Sequence, residues 1–130
     1  MRNLISQRKL LSFAALVELG TGVFLVLAPS LVIELLLGSR PSSAGVPVGR
    51  IAGILMVALG LAAWPKPPPC DYSAAFRGML LYNVLVALYL AFLATVRHAG
   101  GLLLWPAVVL HAVVALLLVW TWRQEHPTTR

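Results

Sequence analysis

Four long apolar stretches, separated by short breaks that carry charge, proline or glycine, set the pattern of this chain. Each is close to the ~20 residues that an α-helix needs to cross a hydrocarbon core about 30 Å thick. The pattern predicts an all-α polytopic membrane protein. Four transmembrane helices at about 10–28, 46–64, 76–96 and 102–122 form an up-down-up-down bundle, a single domain over residues 1–130. Between the first two, an apolar segment at about 31–38 is too short to span and reads as an interfacial or partly re-entrant helix.

Punctuation supports these limits. Pro29-Ser30 stops the first stretch, Gly38-Ser39-Arg40-Pro41-Ser42-Ser43 closes the short segment, and Arg97-His98-Ala99-Gly100-Gly101 turns the chain into the fourth helix. The uncharged run from Ile51 to Trp64 has 14 residues. At about 1.5 Å per residue it covers only about 21 Å, so this helix starts earlier, through Val46 and Val48, and carries Arg50 in the outer part of the membrane. Lys66-Pro67-Pro68-Pro69-Cys70-Asp71 reads as a stiff extended connector, and 123–130 as a short polar tail. Arg2, Arg8 and Lys9 ahead of an apolar run imitate a signal peptide. The run is long for one, contains Glu18, and its small residue Ala28 is followed by Pro29, so we read a retained helix.

Composition sharpens the assignment: 60% of residues are hydrophobic and 11% charged, against roughly 25% charged in an ordinary soluble domain. Soluble enzyme classes and disordered tails are excluded, and the first partner is the lipid bilayer. The net charge is +6, yet the basic residues stand singly at the ends of apolar runs rather than in a stripe interleaved with aromatics, so no nucleic acid is expected. Their distribution orients the chain instead. Arg2, Arg8, Lys9, Lys66, Arg77, Arg123 and Arg130 fall on one side and Arg40, Arg50 and Arg97 on the other, which puts both termini in the cytoplasm of a bacterial inner membrane. Trp64, Tyr72, Trp120 and Trp122 then mark the inner interface and Trp105 the outer one. Cys70 is the single cysteine, and neither a metal site nor a cofactor is expected.

The chemistry resides in the few polar residues at membrane depth. Glu18 lies mid-run, where an ionisable side chain is costly enough to mark a functional candidate. Ala14, Thr21 and Gly22 share its helix face, and that small-residue stripe turns it toward the bundle. It either serves packing, paired with Arg50 or hydrogen-bonded, or takes and releases a proton. Arg50, flanked by Gly49 and with Gly53 and Gly60 along one side, is expected in an ion pair with Glu18 or with Glu34, the alternative being that it reaches the outer headgroups. His111 lies at the depth of Glu18, between Ala107 and Ala115, as a neutral hydrogen-bonding group, a proton relay or a haem ligand. Asn83 is expected to bond across helices. Glu18, Arg50, Asn83 and His111 are thus the candidate interior network, with Glu34 and Tyr82 as secondary members. No Ser-His-Asp set, HExxH, P-loop or GxGxxG is present, and no catalytic residue is assigned.

The runs V-E-L-G-T-G-V-F-L-V-L-A-P-S-L-V-I-E-L-L-L-G, G-R-I-A-G-I-L-M-V-A-L-G-L-A-A-W-P and R-G-M-L-L-Y-N-V-L-V-A-L-Y-L resemble the DoxX-like small four-helix bacterial membrane proteins over residues 10–122. That resemblance implies an inner-membrane bundle and carries over no catalytic residue. A-A-L-V-E-L-G-T is also similar, over a few residues, to small multidrug resistance exporters with one glutamate in their first helix. The leading expectation is an accessory or scaffold subunit, as a homo-oligomer or within a larger membrane complex. A proton-coupled transporter using Glu18 is the alternative, and a membrane redox or quinone-linked component the third.

Overall fold

The structure, a computed structural model, describes residues 7–65 and 73–125. Arg2, Lys66, Cys70, Asp71, Tyr72, Arg130 and most of the proline-rich connector and polar tail lie outside the described residues. Among those described, the chain forms five helices and no strand: α1 (Gln7–Leu27), α2 (Pro29–Leu37), α3 (Gly45–Ala62), α4 (Ser73–Thr95) and α5 (Leu104–Glu125). All but α2 are long and apolar enough to cross a membrane. The all-α, multi-pass architecture and the short helix after the first are therefore as expected.

The prolines explain where helices begin. Pro29 does not end α1 from within; Ala28, at φ −135° and ψ 59°, breaks the helix, and Pro29 occupies the first turn of α2. Pro47 and Pro106 likewise fall in the first turns of α3 and α5. There a residue without an N–H costs nothing, because first-turn N–H groups have no intrahelical acceptor. Gly38 ends α2 in the left-handed conformation, at φ 77°, and its N–H returns to the Glu34 carbonyl.

The long helices associate as two antiparallel pairs. In the first, α1 and α3 pack main chain against main chain: a Cβ on Gly53 would stand 2.7 Å from the Gly22 carbonyl oxygen, and one on Gly60 2.9 Å from that of Ala15. In the second, α4 and α5 run side by side, with Phe76 edge-on to Trp122 at 6.2 Å near one end and Asn83 against His111 further along. The two pairs join chiefly through α1, which touches α5 and, more lightly, α4. Contact of α3 with α4 or α5 is at most slight. Sequential helices are thus not all neighbours, because the glycine face of α3 is fully engaged by α1.

This arrangement makes the bundle closed at one end and open at the other. At the end where α1 begins, Leu10, Leu11, Ala14, Ala15, Ala63, Phe76, Met79, Val114 and Leu118 form one apolar core. At the opposite end α2 lies across the helices, touching α1, α3 and α5. The Leu103 N–H donates to the Leu35 carbonyl at 2.8 Å, and the Gly101 Cα abuts the Leu36 main chain where no Cβ would fit. The outer faces stay apolar: Phe24, Leu27, Leu88 and Leu116 are each more than 60% exposed. Such a surface is stable only against acyl chains, so the chain is an integral, multi-pass membrane protein.

Candidate functional site

Three helices supply one polar layer above the closed core. Glu18 projects from α1 and is 2% exposed, because Ala14 and Gly22, one turn to either side, let neighbouring helices come close. Tyr82 Oη donates to Glu18 Oε2 at 2.7 Å, bridging α1 and α4. The next residue, Asn83, points about 100° further round the helix and meets α5 instead. Its amide Nδ2 donates to the Met79 carbonyl at 2.8 Å, and its Oδ1 lies 2.9 Å from His111 Nδ1. With Nδ2 occupied by a carbonyl, Oδ1 must be the atom facing the ring. His111 Nδ1 therefore carries the hydrogen, and Nε2 of the neutral ring is an acceptor. The Tyr82 and His111 rings close the layer edge-to-face at 5.8 Å.

Above this layer the helices enclose a cavity of about 720 Å³. Its floor is Glu18, Tyr82 and His111; its walls are apolar side chains such as Leu25, Ile33, Met56 and Leu110; its mouth is Ser39, Arg40, Pro41 and Ser42. The volume falls within the roughly 300–1,000 Å³ of small-molecule sites, and the mix of apolar wall with a few convergent polar groups is theirs too. Glu18 uses Oε2 for its one hydrogen bond among the described residues, and no enclosed side-chain oxygen or nitrogen is left unpaired. Oε1 accordingly opens into the cavity, and by the same reasoning so does His111 Nε2.

The network differs from expectation at Arg50. This residue is exposed, outside the layer, and paired with neither Glu18 nor Glu34. Gly49 and Gly53 are the reason. Gly53 faces α1, where a Cβ would meet Val26, and Gly49 faces α2, where a Cβ would meet Ile33 and Pro29, so Arg50 stands off the packed side of α3. Glu34 finds Arg40 instead, at 3.3 Å, where the left-handed turn at Gly38 folds the chain back. Glu34 is thus tied to Arg40 at the cavity mouth and takes no part in the interior layer. Tyr82, a secondary candidate, proves the link between helix pairs. Tyr89 lies on the outside, stacked on Phe92.

Neither the cavity nor the part of α2 in lining it is expected from the sequence. The glycine pair at 100–101 was the available signal, since it marks a place where another main chain comes close. No family model, curated protein or solved structure matches this chain.

Proposed function

We propose that this protein is a small carrier in a bacterial inner membrane, with both termini cytoplasmic, that takes a small molecule into its cavity and exchanges it for a proton on Glu18. The observation that carries this reading is that the Glu18 carboxyl opens into the cavity with a hydroxyl partner and no cationic one. Its one hydrogen bond among the described residues, from Tyr82, engages Oε2 and leaves the other carboxyl oxygen available to a ligand. Charge supports this orientation: Arg8, Lys9, Arg77 and Arg123 stand at the closed end and Arg40, Arg50 and Arg97 at the cavity end, which favours an outward-facing mouth.

An accessory or scaffold role, within a homo-oligomer or a larger complex, takes second place because it makes no use of the open carboxyl. A quinone-linked role comes third, because the Tyr82 and His111 hydrogens that could hold a carbonyl head group already go to Glu18 and Asn83. A place among DoxX-like proteins belongs to the same proposal, rests on the motifs over residues 10–122, and implies no activity.

The test is proton movement. Protein in liposomes loaded with a pH-sensitive dye is challenged with a panel of apolar amines, acids and neutral compounds. At least one compound should move protons through the wild type and not through folded Glu18→Gln. A panel that moves none through folded wild-type protein refutes the reading.

A further inference from the structure

The cavity is as deep as one leaflet of a bilayer. Glu18 stands nine residues before α1 ends at Leu27, and His111 seven residues after α5 begins at Leu104. At about 1.5 Å per residue the floor lies about 10–14 Å below the helix ends, close to half of a hydrocarbon core about 30 Å thick. The mouth at Ser39, Arg40 and Ser42 therefore sits at headgroup depth. The cavity is also open sideways. Val48, Ala52 and Met56 of α3 and Val86 and Leu90 of α4 line it, yet these two helices touch slightly at most. Val48 is both a lining residue and 64% exposed, so the inner wall runs on into the lipid-facing surface. Between floor and mouth the lining side chains are apolar, apart from Thr21 beside the floor.

Water is a poor filling for such a tract, because a held water needs about two to four polar partners and those cluster at the floor. A protein helix does not fit either: at about 10–12 Å across it would need about 1,100 Å³ or more over this depth, against a cavity of about 720 Å³. A single alkyl chain matches both the length and the apolar wall. At the mouth, Arg40 gives its Nε to Glu34, and Ser42 Oγ accepts from the Gly45 N–H. The terminal guanidinium nitrogens and the Ser42 hydroxyl hydrogen are left for a phosphate. We infer that one acyl chain of a phospholipid, from the leaflet level with the mouth, enters between α3 and α4 and fills the cavity above the polar floor, with its phosphate on Arg40 and Ser42. Glu18, His111 and Thr21 keep the floor beneath it for water. The assignment goes beyond proton exchange and stands without it; where a molecule is carried, it displaces this chain.

Photolabelling of the full-length protein in liposomes tests this, with a phosphatidylglycerol that carries a diazirine midway along one acyl chain. After irradiation, mass spectrometry should find adducts on Met56, Leu110 and the buried Leu90, all of which line the cavity, as well as on the lipid-facing Leu88 and Leu116. Adducts confined to lipid-facing side chains overturn the inference on the wild type alone. Ala52→Trp sets an indole at the opening between α3 and α4 and, in folded protein, should abolish the cavity adducts and spare the outer ones. Cavity adducts that persist in it overturn the sideways entry. Arg40→Gln should lower cavity labelling about threefold, the scale of one exposed charged contact; unchanged labelling overturns the phosphate contact. Proton movement in the dye assay is read separately, so each conclusion can fail with the other intact.

Discussion

Where α1 meets α3, Gly22 and Gly53 bring main chain against main chain, and little but backbone and methyl groups fills the interface. Where α1 meets α4, a phenol reaches a carboxyl across the edge of a cavity. The first contact gains its stability from close dispersion over many atoms, and it tolerates no added volume. The second depends on one hydrogen bond between groups that have little else near them, and it leaves space. The comparison teaches where this molecule is rigid and where it has room for a ligand. A first pair of helices acts as a fixed unit, and chemistry collects at its border with the second pair.

The largest expected effect falls on the tight contact. Gly53→Leu would drive a branched side chain into the α1 main chain, and we expect no folded monomer on size exclusion in detergent. Gly53→Ala should still fold, at a cost of about 1–3 kcal/mol in a denaturant titration, the usual scale of overpacking. On the polar side, Asn83→Ala strips His111 Nδ1 of its acceptor within a buried layer and should cost about 1–3 kcal/mol. Tyr82→Phe should cost less, about 1 kcal/mol, because it removes one interhelical bond and the freed Glu18 Oε2 can still turn toward the cavity. Smallest of all, Arg40→Gln and Arg50→Gln should each change stability by less than about 0.5 kcal/mol, since the first breaks only an exposed ion pair and the second removes no partner. A large loss in Arg50→Gln would contradict the outward placement of that residue. A Tyr82→Phe effect equal to that of Gly53→Ala would erase the distinction between the two interfaces.

Much of this plan was legible in the residues themselves. Run length revealed the helices, since lipid demands continuous apolar spans and no other signal competes with that demand. Counting along the runs placed Glu18 and His111 at one depth, and the small residues beside them showed that both face inward. Depth counting says nothing about direction round the helix, which is why Arg50 departs from the expected ion pair. The needed information is nonetheless present in Gly49 and Gly53: once their side of α3 is given to α2 and α1, Arg50 stands away from it. The order of Tyr82 and Asn83 held a similar clue, because consecutive residues on a helix serve different neighbours. The cavity had no local signature. It arises because α3 and α4 barely touch, and a missing contact between elements far apart in the chain leaves no mark on either.

The tie between the Leu103 N–H and the Leu35 carbonyl, with Gly101 fitted against Leu36, is made wholly of atoms that every residue possesses. Exchanging most side chains in those two turns would leave it intact, whereas inserting or deleting a single residue would shift donor past acceptor and unfasten the rim of the chamber. In descendants or engineered versions of this chain, spelling should drift around residues 35–38 and 99–103 outside the glycines and the cavity-lining Leu36, Leu37 and Leu103, while the number of letters stays constant.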